Sequence, residues 1–371
     1  MTPETETELS EAVRDAAGPL AVVAGGTRAH GATGAPLSVA GLNGVRLYEP
    51  GALTLVVGAG TPLAEVEATL AEEGQRLAFE PPDMRRLLAK VADSGTGDPT
   101  IGGVVATNAS GPRRIQTGAC RDHLLGVRFV DGSGTIIKNG GRVMKNVTGY
   151  DLVKLLCGSH GTLGVLSEVA LKVLPAADAM AVVRIEGLSV SDAVSAMSQA
   201  LGSPWDVTGA AHLPGEAPQT LIRVEGSAAS VAERGGKLAA LLGQGAEVDV
   251  DPDPEIWADV RDATVFAGGS EDVWRVSVKP SDAPEVVRRV PASKLLLDWG
   301  GGLIWAGVAP GSDVRGMLGD VAGHATLVRA ESATRTRLGT FHPEATPLAA
   351  ISEGLRSKFD PRGILNRGVM G

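Results

Sequence analysis

The chain has 371 residues, a formal net charge of −9 and 43% hydrophobic residues. A chain longer than roughly 300 residues suggests two domains, because single cores rarely grow beyond that size. The apolar content excludes global disorder, and the acidic balance argues against nucleic acid as a partner.

Apolar runs separated by turn residues predict the elements of the first half. The hairpin signal is the Asp-Gly-Ser-Gly segment 131–134. Thr61 is expected to cap the first helix, with Leu63, Val66 and Leu70 on its buried face. We expect strands over 20–23, 53–57, 124–130, 135–138 and 165–174, and helices over 61–74 and 151–156.

Residues 175–180 form a candidate boundary, and the pattern changes after it. Two similar strand–helix units follow, beginning at Arg184 and Arg223. They indicate an α+β sheet with helices on one face, although chance recurrence of common residues explains the similarity equally well. Strands are predicted over 273–278 and 295–305, and a C-terminal helix is predicted to end at Asp360.

Three loops of small residues are the densest glycine clusters, at 25–34, 100–111 and 158–164. Free N–H groups in such loops can bind a pyrophosphate without lysine. A ligand-free glycine connection would explain one of them, but three loops joined to strands favour one extended cofactor. The segment 58–60 lacks the third glycine of a dinucleotide fingerprint, because position 63 is Leu63, so we interpret it as a helix entrance.

Cysteine and histidine usage limits the possible metal chemistry. Cys120 and Cys157 are the two cysteines, so a self-contained iron–sulfur cluster or zinc ribbon is excluded. The six histidines show no ligand spacing, and no metal site is predicted. No apolar run reaches the roughly 18 residues of a membrane span, and the acidic N-terminus does not resemble a signal peptide.

Four blocks of residues carry a family resemblance. They are Phe79-Glu80-Pro81-Pro82, segment 100–122, segment 140–175, and a C-terminal group comprising Trp274-Arg275, 298–301, Gly323-His324 and 359–366. These blocks resemble the vanillyl-alcohol-oxidase family of PCMH-type FAD-linked oxidases, and within it the FAD-binding E subunits of bacterial glycolate oxidases. Residues 144–151 are the most specific part of the match.

The resemblance implies an α+β fold, with a PCMH-type FAD-binding domain of two α+β subdomains and a smaller α+β cap domain. The implied boundaries are 1–176 for the FAD-binding domain, 177–335 for the cap, and 336–371 for a C-terminal segment that returns to the flavin site. Some relatives attach FAD covalently through a histidine beside the first glycine pair. Thr27 stands there in this chain and His30 lies three positions on, so we expect non-covalent FAD.

The resemblance also implies the residues that hold the cofactor. They lie in the three glycine loops and at one C-terminal position: Gly25, Gly26, Thr27, Gly31, Thr100, Gly102, Gly103, Thr107, Asn108, Gly111, Gly118, Asp122, Gly161, Thr162, Gly164, Val165 and Asn366.

Oxidation of a 2-hydroxy acid needs a cation for the carboxylate and a base for the hydroxyl proton. Arg275 or Arg329 is a candidate for the first role and His324 for the second, although core or surface roles suit them slightly better. The catalytic relatives carry an H-x-x-D-G-N-x-H metal motif, which this chain lacks. Lys145 is equally consistent with a solvated side chain and with a contact to the flavin or a partner. Clusters such as Arg113, Arg114 and Arg121 are most often solvated, and a role beside the FAD phosphates or at a subunit contact is the alternative.

The resemblance implies the FAD-binding subunit of a glycolate oxidase complex, with a catalytic flavin subunit and an iron–sulfur subunit as partners. The complex oxidises glycolate to glyoxylate, and the missing motif favours an electron-relay or supporting role for this chain. We expect a cytoplasmic location, with peripheral membrane association through the complex as an option. The alternatives are a stand-alone FAD-dependent oxidoreductase for another 2-hydroxy acid or alcohol, and a scaffold that has lost its flavin.

Overall fold

A computed structural model describes residues 1–27, 31–89, 97–141, 149–243 and 245–370. Most of the segment 144–151, the most specific part of the family match, therefore lies outside the described residues, as do His30 and Lys145. The described strands are β1 Leu20–Val23, β2 Ala35–Ser38, β3 Val45–Glu49, β4 Thr54–Gly58, β5 Gln75–Arg76, β6 Leu124–Val130, β7 Ile136–Gly140, β8 Val165–Lys172, β9 Leu174–Pro175, β10 Ala179–Glu186, β11 Val207–Leu213, β12 Gln219–Gly226, β13 Ala246–Val250, β14 Asp272–Val278, β15 Lys294–Asp298, β16 Leu303–Val308 and β17 Gly323–Arg329.

Helices connect most of these strands. The described α-helices are α1 Glu6–Arg14, α2 Leu63–Ala71, α3 Arg85–Leu88, α4 Ile101–Ala106, α5 Arg114–Thr117, α6 Cys120–His123, α7 Leu152–Leu156, α8 Val190–Leu201, α9 Ala228–Leu242, α10 Glu255–Asp262, α11 Ala283–Arg289, α12 Val314–Leu318, α13 Ser332–Leu338 and α14 Thr346–Phe359.

The N-terminal half contains a five-stranded antiparallel sheet in the order β3-β4-β8-β6-β7. All five residues of β4 are buried, which fits its uninterrupted Thr-Leu-Val-Val-Gly sequence. One core joins this sheet to α2, α4 and α7 through residues such as Val57, Val66 and Val104. A separate parallel pair, β1 and β2, packs with α1 and with the C-terminal Ile364 and Leu365.

The second half forms an eight-stranded sheet in the order β13-β10-β12-β11-β15-β16-β14-β17. One face packs against α8, α9, α11 and α12. Side chains on the other face, such as Val273 and Trp305, pack against α10 and against Leu87 of α3, which comes from the N-terminal half. The α+β class expected from the sequence is confirmed.

The proposed domain boundary at 176/177 falls in the short connection between β9 and β10. The proposed boundary at 335/336 falls inside α13. Since a division should leave helices whole, we propose placing it at residues 330–331 instead.

Most predicted elements are present, including the hairpin of β6 and β7 and the helix α7, whose N-cap Asp151 accepts a bond from Lys154 N. Three predictions are wrong in detail. The strand expected over 295–305 is two strands, because the chain turns at Trp299 with a φ of 55°. Thr61 does not cap α2; its hydroxyl donates to Gly58 O instead. The loop expected over 100–111 begins as helix α4.

Candidate functional site

A cavity of about 790 Å³ lies where the N-terminal segments meet the C-terminal end of the chain. Such a volume is in the range of ligand and cofactor sites. The cavity is lined mainly by small side chains and exposed main chain from five segments, which lie within residues 21–33, 100–107, 160–166, 332–340 and 366–369. Val39 and Ala59 also line it. The three glycine loops singled out in the sequence therefore converge on one space.

The first loop continues β1 and supplies the clearest donors. The main-chain N–H groups of Gly25, Gly26 and Thr27 donate no hydrogen bond to any residue that the structure describes. The Cα of Gly25 is pressed against the chain on its other side, since a Cβ there would lie 1.6 Å from Asp98 O. Glycine is thus required to bring this loop into place, with its donors left for a ligand.

The second glycine segment, residues 100–111, does not offer the free main-chain N–H groups that were predicted for it. The N–H groups of Ile101, Gly102 and Gly103 are bonded within the chain, to Thr61 O, Ala59 O and the Thr100 hydroxyl respectively. They are not free to hold a pyrophosphate, contrary to the expectation for this segment. Helix α4 instead forms a cavity wall of minimal side chains, including Gly103 and Ala106.

The third loop is closed by Asn366 from the C-terminal segment. Gly161 has a φ of 73°, a conformation that favours glycine, and a Cβ there would lie 2.8 Å from Asn366 Nδ2. Asn366 Nδ2 donates to His160 O at 2.7 Å, and Asn366 Oδ1 accepts from Val22 N at 2.7 Å. Asn366 lines the cavity, but its amide serves mainly to tie β1 to the third loop.

Most residues predicted to hold the cofactor line this cavity. Those that do are Gly25, Gly26, Thr27, Gly31, Thr100, Gly102, Gly103, Thr107, Gly161, Gly164, Val165 and Asn366. The other five have structural contacts. Asp122 caps α6 by accepting from Ala119 N, and Gly118 packs on Asp122. Asn108 Oδ1 accepts from Arg121 N, Thr162 donates to Ser159 O, and Gly111 packs on Glu80.

The sequence reasoning missed one wall of the cavity. Ser332, Arg335, Thr336 and Thr340 line it from α13 and the turn that follows. The guanidinium of Arg335 is held by Leu327 O at 3.2 Å, Val328 O at 3.3 Å and Thr340 Oγ1 at 3.1 Å. A lone Arg among three hydroxyl residues is not a recognisable motif, and so gave no usable signal.

The three candidate substrate residues lie on β14 and β17 and do not line the cavity. Arg329 is fully engaged: its guanidinium donates to Leu87 O at 2.9 Å and Phe266 O at 2.7 Å, and it pairs with Glu271. This arrangement supports a structural role rather than a carboxylate clamp. Arg275 and His324 remain close enough to interact, since burial first and then the charge of Arg275 lower the pKa of His324.

A buried ion network fixes the N-terminal half on the eight-stranded sheet. Glu80 accepts from Arg223 Nη1 and Nη2 and from Arg113, and Glu225 accepts from Arg113 and Arg76. Burial alone would raise the pKa of Glu80, but the charges of Arg223 and Arg113 hold it below its ordinary value. Arg113, one of the basic residues left open by the sequence, is therefore part of this network.

The residues present fit FAD. The free N–H groups of the first loop suit its pyrophosphate, and the small-residue walls leave room for an extended molecule. Among the described residues, no helix has the length and apolar character needed to cross a bilayer, and no cluster of three potential metal-ligating side chains of His, Cys, Asp or Glu occurs.

Comparison with known proteins agrees with this geometry. Residues 1–140 match the model of the FAD binding domain family. The chain is 35% identical over 340 residues to glycolate oxidase subunit GlcE of Escherichia coli (strain K12), covering 91% of this chain and 87% of that protein. It is 38% identical over 107 residues to a D-lactate dehydrogenase of Anaerostipes hadrus, covering 29% of this chain and 22% of the relative.

The fold is also similar to a solved structure, that of an alkyldihydroxyacetonephosphate synthase, with a TM-score of 0.70 and 16% identity over 99% of this chain and 76% of the other. The fold, cavity and relatives define an FAD-linked oxidoreductase of the PCMH type. Within that class, the chain belongs to the family of the glycolate oxidase subunit GlcE.

Proposed function

We propose that the protein is the FAD-binding subunit of a glycolate oxidase or dehydrogenase complex, which oxidises glycolate to glyoxylate. The similarity to GlcE along nearly the whole chain carries this proposal. The partners would be a catalytic flavin subunit and an iron–sulfur subunit that takes up the electrons. An iron–sulfur cluster would have to lie in another chain, because the two buried cysteines, Cys120 and Cys157, are too few to hold one.

The cofactor would be bound non-covalently in the cavity. Gly25, Gly26 and Thr27 would donate their N–H groups to the pyrophosphate, and the α4 wall would face the rest of the dinucleotide. Thr27 offers no imidazole for a covalent bond to the flavin. When bound, FAD supplies a two-electron acceptor for the hydride of the substrate carbon.

The residues of the chain would then serve a 2-hydroxy acid as follows. Arg275 would bind the substrate carboxylate through its guanidinium. His324 would accept the hydroxyl proton, and it is available as a base because burial and the charge of Arg275 keep its pKa below the ordinary value. His324 is the second residue of β17 and part of its side chain is exposed, so the proton could leave to solvent.

A stand-alone oxidoreductase for another 2-hydroxy acid is the second candidate, favoured by the similarity to a D-lactate dehydrogenase. The test is anaerobic addition of glycolate and D-lactate to the FAD-loaded chain, alone and with its proposed partners, while the flavin absorbance near ~450 nm is followed. Bleaching by glycolate only in the presence of partners supports the complex. Bleaching of the isolated chain by D-lactate alone supports the second candidate, and a chain that takes up no FAD contradicts both.

A further inference from the structure

The indole of Trp299 bridges the two halves of the molecule. Trp299 follows β15 in the eight-stranded sheet, and its main-chain N–H donates to Asp298 Oδ1 at 2.7 Å. Its Nε1 donates to Gly111 O at 3.1 Å, in the loop that follows α4. With both ends of the residue held, the ring has a fixed position beside the start of α5.

Two arginines stack on this ring, one from each half. The Cζ of Arg114 lies 4.5 Å from the ring centroid, and the Cζ of Arg275 lies 5.0 Å from it. Both distances are in the range of cation–π contacts. Neither guanidinium makes a hydrogen bond or an ion pair with any residue that the structure describes, whereas the nearby Arg113 and Arg223 are fully paired with carboxylates.

No carboxylate forms an ion pair with either arginine within the described residues, although Asp122 acts on Arg114 and Asp298 acts on Arg275 through longer-range charge interactions. Burial and then the charge of Arg114 lower the pKa of Arg275 to about 10. Burial first, and then the charges of Arg275, His342 and Arg114, lower the pKa of His324. Asp298 is buried, which raises its pKa to about 7, and it forms no ion pair within the described residues.

We propose that Arg114 and Arg275, held on Trp299, form a binding site for a small carboxylate. A planar guanidinium presents paired N–H donors that match the two oxygens of a carboxylate. An anion between the two residues would relieve their mutual repulsion and satisfy donors that the protein leaves unused. The identification of this carboxylate with that of a 2-hydroxy acid substrate rests on the proposed function, and it adds Arg114 and Trp299 to that site.

The direct test is binding of oxalate, a small carboxylate that is not a 2-hydroxy acid, to the FAD-loaded chain by calorimetry. Arg114→Met and Arg275→Met should each weaken oxalate binding by roughly tenfold to a hundredfold, as expected for loss of a charge-assisted hydrogen bond. Arg121→Met is the matched control. It removes an exposed positive charge that acts on Arg114, so it should leave oxalate affinity nearly unchanged.

Several outcomes would overturn the site. The first is absence of oxalate binding to the parent chain. The second is an oxalate affinity in both site variants equal to that of the parent chain. The third is a loss in the Arg121 control as large as in the site variants, which would indicate a diffuse field. Arg275→Lys should retain part of the affinity, and it provides a second measurement if Arg275→Met does not fold.

Flavin reduction by glycolate and D-lactate is measured separately on the same proteins. Oxalate binding that depends on both arginines, without flavin reduction by any hydroxy acid, supports the site and contradicts the proposed oxidation. Flavin reduction that is unaffected in both variants supports the oxidation and contradicts the identification of this carboxylate site with the substrate site.

Discussion

Arg223 donates to both carboxylate oxygens of Glu80, with Nη1 at 2.9 Å and Nη2 at 2.8 Å. This pair joins strand β12 of the eight-stranded sheet to the segment that precedes α3. Glu80 also accepts from Arg113 N at 2.8 Å, so one carboxylate fixes the start of α5 as well. The relative position of the two halves, and hence of Arg114 and Arg275, depends on this buried carboxylate.

Removal of the Glu80 carboxylate should destabilise the fold strongly. Glu80→Ala leaves the buried Arg223 without its main partner, and loss of one partner of a buried pair costs about 3–5 kcal/mol. Urea unfolding measures the change. The matched control is Glu285→Ala, which breaks exposed pairs with Arg288 and Arg289 and should change stability little. Similar stabilities for the two variants would contradict a structural role for the network.

Adjacent glycines of α4 should respond differently to a side chain. A Cβ at Gly103 would approach only Thr100 Oγ1, at 3.4 Å, and would otherwise enter the cavity. Gly103→Val should therefore fold and lose FAD. A Cβ at Gly102 would lie 2.6 Å from Ala59 O, so Gly102→Ala should lower the melting temperature instead. Flavin content and thermal unfolding separate the two effects, and unchanged flavin content in Gly103→Val would show that the cofactor does not lie against α4.

The same pair of glycines shows what sequence can and cannot reveal about the site. The clustering of small residues after predicted strands is a local pattern, and it located the cavity correctly. Whether a glycine leaves space for a ligand or for the chain itself depends on what packs opposite. A Cβ on Gly102 would meet the main chain of Ala59 and a Cβ on Gly103 would enter the cavity, although the two residues are adjacent in the sequence.

Contacts between segments that are distant in the chain could not be predicted from the sequence. Trp274, Arg275 and Trp299 were recognised as a group, but nothing local indicates that Arg114 stacks on Trp299. Arg335 reaches the cavity only because β17 and α13 bring the chain back to the first loop. The sequence made Arg329 and Arg275 equal candidates for a carboxylate-binding role. The guanidinium of Arg329, however, donates its hydrogen bonds to main-chain carbonyl oxygens.

Burial of His212 should make the fold sensitive to mild acid. His212 is fully buried on β11, its Nδ1 lies 3.0 Å from Thr220 Oγ1, and burial lowers its pKa to about 4. The unfolded chain, with an ordinary pKa near ~6.5, then binds more protons between these values, so stability is lost as pH falls from about 6.5 to 4. The loss from this group is about 3 kcal/mol.

His212→Asn places an amide near Nδ1 and has no group that titrates in this window. Urea unfolding at a series of pH values measures the stability of the parent chain and of this variant. As the pH falls from about 6.5 to 4, the parent chain should therefore lose about 3 kcal/mol of stability relative to the variant. A difference that is independent of pH would show that His212 is not held neutral by the fold.

Arg335 should contribute to FAD affinity through charge. Of the described residues that line the cavity, it has the permanently positive side chain, and its guanidinium is anchored by Leu327 O and Val328 O. The pyrophosphate of FAD is anionic, and a charge-assisted contact contributes about 1.5–3 kcal/mol, so Arg335→Met should weaken FAD binding by roughly tenfold to a hundredfold.

The affinity of the apoprotein for FAD, titrated by flavin fluorescence, measures this effect. Arg337→Met is the matched control, because Arg337 lies on the same helix but donates to Gly311 O and does not line the cavity. The parent chain should also lose affinity more steeply with added salt than the Arg335 variant does, since salt screens the charge that only the parent retains. If the parent chain and the Arg335 variant had equal FAD affinities and equal salt dependences, Arg335 would serve only to hydrogen-bond β17 to Thr340.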